Sequence, residues 1–558
     1  MRANEKVNPV VVEIIRNALN SAAQEMNASL FRSAYSPVIY EMKDCSVGIF
    51  TKDAELMGQS AGLPIFLGNL GICIEIVTKQ IGLEAYNPGD VFIMNDSYLQ
   101  GAHLSDITII APMFHQDELV GFSATRAAMS DVGNKNAMGS NDCTEIYEEG
   151  VRIPPIRIVE KGVLREDLLE LLALNSRFHH LYKGDIMAQI AACNTGEKRF
   201  CEILDRFGLE TVEAAVQEIF RQAETLDRQA VAALPDGVYH AEGCLDNDGV
   251  VDTPVPVCVT VKIEGDRMTI DLTGSSPRRK GSTNCGAAQA ISACRVAYKE
   301  LINSESSVCG GNFRNLDVVL PPQSIFTAEE PTACSWYFSP LGLLIDLVMR
   351  ALAPVMPDKV AAAHYGDSMV MTLTGIDPKT GKLFGSVEAT AGGWGAFDGD
   401  DGESCLINVV NGDFKNLPIE FIEHKYPYRL LRYEIREDSE GAGKYRGGFG
   451  VRRDYLTEAD ESYIRMWFER SKTPAWGLFG GKDAAPPLLT LNPGTDHEEK
   501  YRKINRKLLP KGTVIRAETG GGGGYGDPAV RDPEMVRADV ESGYITPQRA
   551  KEVYGVTL

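Results

Sequence analysis

The densest chemistry in the 558-residue chain lies in one stretch, GAHLSDITIIAPMFHQDELVGFSATRAAMSDVGN, which begins at Gly101. His103 and Asp106 stand close together at the mouth of an apolar run, with the chemistry of half a metal site. The run reverses at HQDE (residues 115–118), so the stretch reads as a β-hairpin in which Phe114 faces Leu119. Carried to the open end, that register sets Ser105 against Ala128 and Asp106 against Ala127. Position 128 therefore belongs beside His103 and Asp106. A histidine there would complete two imidazoles and a carboxylate, the set favoured by zinc, manganese or iron with open coordination positions. The chain instead has Ala128 followed by Met129, and neither binds a hard or borderline divalent cation. Asp44, in YEMKDCSVGIF, begins another strand and is a further carboxylate for such a site. The competing reading is a hydrogen-bonded His103–Asp106 pair that closes a strand end and holds no ion.

The elements that position these residues follow from apolar spacing. Asn8-Pro9 reads as a helix cap, and Val12, Ile15, Leu19, Ala22, Met26 and Leu30 recur with the period of a core-facing helix. CSVGIFT from Cys45 is a strand, GNLGICIEIVTKQI a helix, and PGDVFIMND a turn entering a buried strand. Helical spacing dominates from Arg165 to Leu234. TPVPVCVTVKIEGDRMTIDLTGSS then alternates around a hairpin turn, and NCGAAQAISACRVAYKELI returns to helix. From about Asp367 the chain is glycine-rich strand and loop, ending in a short helical tail. The fold class is α+β: mixed sheets, a helical middle and a strand-rich C-terminal part in one continuous, multi-subdomain unit. Residues 1–235, 236–366 and 367–558 form its three regions.

Bulk composition narrows the partners. The 77 acidic against 56 basic residues give a net charge of −21, which repels nucleic acid phosphates and anionic membranes. The N-terminus lacks a signal-peptide pattern, and the most apolar later stretches stop short of a span of roughly 18 residues. Twelve cysteines without a CxxC pair suit reduced thiols in a cytoplasmic protein. No serine nucleophile elbow, HExxH or self-sufficient ATP site occurs.

Four motifs in order, NDSYLQGAHLSDITIIAP, ATRAAMSDVG, REDSEGAGKYRGGFGVRRDY and TGGGGGYGDP followed by DVESGYITPQRAKEVYG, resemble the hydantoinase B / 5-oxoprolinase family over about residues 8–556. That family includes B-type subunits of N-methylhydantoinase, caprolactamase, acetone carboxylase and acetophenone carboxylase. The resemblance implies a hydantoinase B-like fold and a hydantoinase A-type partner that carries ATP with Mg or Mn and phosphorylates a carbonyl or enolate oxygen. Further paralogous subunits are expected in the complex. In metal-containing members the ligands correspond to Asp44, His103 and Asp106, plus a histidine at the position of Ala128. Lactam or hydantoin opening calls for activated water, which a metal supplies. Carboxylation of a phosphoenol calls for a dry pocket beside the nucleophilic carbon. The incomplete site therefore favours a subunit of a ketone carboxylase of the acetophenone type, with bicarbonate as co-substrate and a β-keto acid as product. The alternatives are a hydantoinase, lactamase or 5-oxoprolinase subunit with replacement ligands, and a non-catalytic scaffold subunit.

Further candidates follow from that implication. Arg126 and Asp131 flank position 128 and are expected to pair across the former metal pocket. Together with His103 they are the catalytic candidates, Arg126 as the grip on a carboxyphosphate. SWYFSPLG (residues 335–342) reads as a core cluster or as the wall of an aryl-ketone pocket. ETGGGGGYGDP (residues 518–528) reads as a tight structural loop, with an anion nest as the alternative. Lys444, Arg446, Arg452 and Arg453 read as a solvated hairpin or as a patch facing the anionic intermediate or the partner subunit, and His179, His180 and His364 as structural or surface histidines.

Overall fold

The computed structural model describes residues 8–558. Helix α1 (Pro9–Ser33) starts where the sequence caps it, the Asn8 side chain accepting the Val10 N–H, and it buries the expected stripe from Val12 to Leu30. A seven-stranded antiparallel sheet follows from β1 (Cys45–Phe50), β2 (Leu56–Gln59), β3 (Val91–Met94), β4 (Asp106–His115), β5 (Glu118–Ala128), β6 (Ile156–Glu160) and β7 (Val163–Leu164). Its order is β2-β1-β5-β4-β3-β6-β7. Helix α2 (Leu70–Ile81) covers one face of the sheet, and α1, α3 (His179–Phe207) and α4 (Leu209–Ala232) cover the other. Burial on both faces explains why β4 is a continuous apolar run and not an alternating one.

The hairpin of β4 and β5 turns at Gln116–Asp117, both with positive φ, the backbone of a two-residue turn that matches strand twist. Phe114 pairs with Leu119 as the sequence predicts. The next pair is Met113 with Gly121, so Val120 is an extra residue and the register advances by one. Gly121 is the residue that permits this, because a Cβ there would lie 2.3 Å from the Phe50 carbonyl oxygen. The open end consequently pairs Asp106, not Ser105, with Ala128. This corrects the uniform register read from sequence. Directly opposed residues share a face, so the bulge brings the Asp106 carboxylate and the Ala128 methyl together.

Three further sheets complete the chain. Strands β8 (Gly237–Leu245), β9 (Val255–Glu264), β10 (Arg267–Asp271) and β11 (Leu316–Val319) form a sheet on which α5 (Ala287–Leu301) and α6 (Phe338–Leu352) pack. The third sheet comprises β12 (Val370–Ile376), β13 (Leu383–Glu388), β16 (Glu461–Trp467) and β19 (Ile504–Pro510). The fourth comprises β14 (Tyr428–Ile435), β15 (Val451–Thr457), β17 (Leu488–Leu491), β18 (Glu499–Tyr501) and β20 (Val514–Glu518). One apolar cluster joins Val38, Met42 and Ala128 to Met371, Ile464 and Met466. The open end of the first hairpin is thereby held against the third sheet.

Residues 64–81 reach the length and apolar composition of a membrane span, contrary to the sequence expectation. They form two helices separated at Gly68–Asn69, and Leu70, Cys73, Ile74 and Val77 are buried against the sheet. All twelve cysteines are free.

The glycine run is a packing device. The N–H groups of residues 521–526 all donate to backbone carbonyls, so these are not free to line an anion nest. A Cβ on Gly522 would lie 1.8 Å from the Trp394 carbonyl oxygen, whereas one on Gly520 meets nothing closer than 3.2 Å. Gly522→Ala is expected to lower the thermal midpoint by the equivalent of about 3 kcal/mol or to prevent folding. Gly520→Ala should cost much less, and equal effects in a thermal-unfolding comparison would contradict this packing.

Candidate functional site

His103 is presented by a loop between a short helix (Ser97–Gln100) and β4. Gly101 ends that helix with φ of 90°, and a Cβ there would meet the Gln289 backbone nitrogen at 2.5 Å. Gln100 donates its side-chain amide to the Asp106 carbonyl at 2.7 Å and accepts from Thr108, which fixes the start of β4. Asp44 precedes β1 on the neighbouring strand, where its carbonyl accepts the Ala128 N–H at 3.1 Å. Two strand ends, one loop and the residues before α6 converge here.

The convergence produces a chain of hydrogen bonds. His103 Nε2 lies 2.9 Å from Asp106 Oδ1, and His103 Nδ1 lies 3.2 Å from the Ser335 carbonyl oxygen. Tyr337 donates its hydroxyl to Asp106 Oδ2 at 2.9 Å. A carbonyl oxygen carries no proton, so Nδ1 must donate to it. Nε2 faces a carboxylate already accepting a proton from Tyr337, so it donates as well. Burial pulls the imidazole pKa down, but the Asp106 charge and hydrogen bond, with Asp44 behind them, outweigh burial and raise it. His103 is thus an imidazolium held by Asp106. Burial, then repulsion by Asp106, pushes Asp44 up to about 8, against a smaller lowering by His103.

A divalent ion at this position would need a ring-nitrogen lone pair from His103, a free Asp106 oxygen and a further donor at position 128. Both His103 nitrogens and both Asp106 oxygens are engaged within the chain, and Ala128 offers a methyl group. The residues present do not fit the ion. Among the described residues no group of three or more His, Cys, Asp or Glu side chains is arranged to hold a metal.

Over this chain lies a cavity of about 120 Å³. Asp44, His103 and Ala128 form its floor, and Trp336, Phe338 and Phe414 are among its apolar walls. Glu149 also lines it and is 1% exposed. It accepts the backbone N–H groups of Cys334 and Ser335 at 2.9 and 2.8 Å, which anchors the segment bearing Tyr337. Burial pushes Glu149 up to about 7 against the lowering by those amides. A carboxyl poised there can accept and return a proton near neutrality.

Two candidates read from the sequence lie elsewhere. Asp131 pairs with Arg177, at 3.0 Å to its guanidinium and 2.7 Å to its backbone nitrogen, and not with Arg126. Arg126 is fully buried outside the cavity lining, and donates to Asn69, Thr108, Gln100 and Cys73. Its position two residues before Ala128 on β5 aims it along the sheet toward Thr108, its cross-strand partner. It therefore has no access to a bound intermediate. The arginines of the basic patch are likewise consumed internally, Arg446 by Asp539, Arg452 by Asp454 and Arg453 by Glu388, while Lys444 lies over the Tyr445 ring. His364 is buried against Asp346, which also binds Arg470, while His179 pairs with Glu170 at the surface. SWYFSPLG supplies both walls and core, with Ser335, Trp336 and Phe338 at the cavity and Leu341 inside. Sequence reasoning missed Glu149, Tyr337 as a hydrogen-bond donor, and Arg465, since each comes from a distant segment with no spacing signal.

The fold and site define a multi-sheet α+β protein with a cavity above a Tyr–Asp–His hydrogen-bond chain. The Hydantoinase B/oxoprolinase family profile matches residues 8–528. A Pseudomonas sp. (strain NS671) protein, provisionally named as the B component of a D-/L-hydantoinase, is 31% identical, covering 99% of this chain and 96% of its own. The beta component of the Pseudomonas jessenii caprolactamase is also 31% identical over 99% of this chain and 96% of its own. The crystal structure of the ATP-dependent caprolactamase from that organism superposes with a TM-score of 0.92 at 28% identity, covering 100% and 97% of the two chains. A nucleotide-free acetone carboxylase structure shares the fold, with a TM-score of 0.89 at 21% identity over 98% of this chain and 79% of that one. The chain belongs to the hydantoinase B/oxoprolinase family.

Two outcomes test the site. Ala128→His adds the missing donor beside Asp106 and is expected to tighten Zn²⁺ binding at least about tenfold in a competitive chelator titration. Unchanged affinity would mean that residue 128 does not face His103 and Asp106. Asp44 has a raised folded pKa, so the folded state binds a proton that the unfolded chain has lost, and stability falls as pH rises from about 4 to about 8. Asp44→Asn removes that cost, so its thermal midpoint should exceed that of the wild type increasingly toward pH 8. Parallel pH profiles for the two proteins would contradict the raised pKa of Asp44.

Proposed function

We propose that this chain is the B-type subunit of an ATP-dependent carboxylase that converts a methyl ketone of the acetophenone type and bicarbonate to a β-keto acid. In this reading a hydantoinase A-type partner binds ATP with Mg or Mn and phosphorylates the substrate, in the cytoplasm, and paralogous subunits complete the assembly. The observation that carries the reading is the cavity: apolar walls above an imidazolium whose nitrogens are both occupied. Lactam opening needs water activated at the reacting carbon, and these donors offer no seat for a metal to generate it. Carboxylation needs the opposite, a pocket from which water is excluded. A dry cavity of ~150 Å³ admits a benzene ring, so about 120 Å³ suits a small aryl group with modest adjustment of its walls. Glu149 is the group we assign to moving the methyl proton, with its pKa near the working pH.

A second reading rests on the caprolactamase, 31% identical over nearly the whole chain. There the B-type subunit would receive a phosphorylated lactam, and water would enter without a metal in this chain. Reconstitution with the A-type partner separates the two. The carboxylase reading predicts ATP cleavage that requires both acetophenone and bicarbonate, with labelled bicarbonate appearing in a β-keto acid. Glu149→Gln should lower that incorporation about a hundredfold or more. ATP cleavage dependent on a lactam or hydantoin, without label incorporation, would replace it with the hydrolase reading. Full activity in His103 and Asp106 variants would leave the chain a scaffold.

A further inference from the structure

A larger cleft of about 640 Å³ opens on the outer side of the site. It and the inner cavity share two lining residues, Gly139 and Arg465. The wall between them is therefore the Arg465 side chain of β16 and the loop at residues 138–139. Arg465 donates to the Met138 carbonyl at 2.6 Å and to Thr372 Oγ1 at 2.8 Å, and it stacks on Trp336 at 5.1 Å. Gly139, with φ of 101°, leaves room for it, since a Cβ there would lie 2.6 Å from an Arg465 terminal nitrogen.

Among the described residues no carboxylate lies within 4 Å of this guanidinium, and its buried Nε has no hydrogen-bond partner. A buried cation is ordinarily paired, because the desolvation cost is otherwise uncompensated. Burial draws its pKa down to about 10, the direction of a charge lacking a counter-ion. The outer cleft adds Lys135, Arg177 and Arg506 against Asp460 and Glu461. Lys135 and Arg177 are neutralised by Asp142 and Asp131, whereas Arg506 only stacks on Tyr463.

We infer that Arg465 is an anion receptor at the junction of cleft and cavity, binding the phosphoryl oxyanion of a small phosphorylated intermediate whose organic part enters the cavity. The inference rests on the carboxylase or hydrolase reading only for the source of that intermediate. A planar guanidinium suits a phosphoryl group, and its face on Trp336 holds the fork toward the passage. Arg465 takes the role assigned to Arg126 from sequence, from a strand about 340 residues further along the chain.

Calorimetric titration of the purified chain with phenyl phosphate, inorganic phosphate and bicarbonate tests this without ATP, partner or ketone. Phenyl phosphate should bind saturably and more tightly than inorganic phosphate, since only it fills both the anion seat and the cavity. Bicarbonate binding more tightly than both would overturn the phosphoryl assignment. Arg465→Gln is expected to weaken phenyl phosphate about tenfold or more, Arg465→Lys to recover part of that loss, and Arg506→Gln at the mouth to change it less than about threefold. Absence of saturable phosphate binding by the wild type, or equal binding by Arg465→Gln, overturns the inference. Should the Gln variant not fold, the Lys variant decides: undiminished affinity with phosphate but no preference for the aryl ester overturns it. Because no turnover is measured, loss of the carboxylase reading through absence of label incorporation leaves this result standing, and the reverse also holds.

Discussion

The Asp106 carboxylate is the constraint around which the site is organised. It is 1% exposed, and the three groups that fix its surroundings come from distant parts of the chain: His103 from the preceding loop, Tyr337 from the residues before α6, and Ala128 from the opposing strand. A buried carboxylate left without partners would cost several kcal/mol. Here its charge is met by an imidazolium and a hydroxyl, and both partners are fixed in turn. Ser335 holds the far side of the imidazole, and Glu149 holds the backbone of Ser335. The hydrogen-bond chain therefore ties the first sheet to the segment that walls the cavity.

That tie explains how an incomplete ligand set can persist as an ordered site. With a methyl at position 128, the space beside Asp106 joins an apolar cluster with Met371, Ile464 and Met466 of the third sheet. The Tyr337, Asp106 and His103 groups satisfy one another, and the cavity above combines apolar walls with Glu149 and Arg465. A concave site with apolar walls and a few placed polar groups is the usual form of a small-molecule pocket.

The secondary structure was legible where local physics governs it. The Asn8-Pro9 cap, the apolar stripe of α1 and the two-residue turn at Gln116–Asp117 all appear where spacing and turn chemistry place them. The hairpin's register was not, because a bulge of one residue at Val120 leaves no periodicity signal in a strand buried on both faces. Arg126 misled for a different reason: it shares the strand face of Ala128 but lies two pairs further from the open end, where its guanidinium enters a buried network with Asn69 and Gln100. The residues that complete the site, Tyr337, Glu149 and Arg465, arrive through long-range packing. Of these only SWYFSPLG carried a trace, as an aromatic cluster compatible with a wall.

The claim on which the rest depends is that His103 is an imidazolium locked between Asp106 and Ser335 and so offers no lone pair to a metal. Nitrogen-15 NMR of histidine-labelled protein tests it directly, since the chain has only eight histidines and His103→Gln identifies the resonance. Two protonated ring nitrogens are expected for His103 at pH 7, with no change when Zn²⁺ is added. An unprotonated ring nitrogen that shifts on adding Zn²⁺ would contradict it.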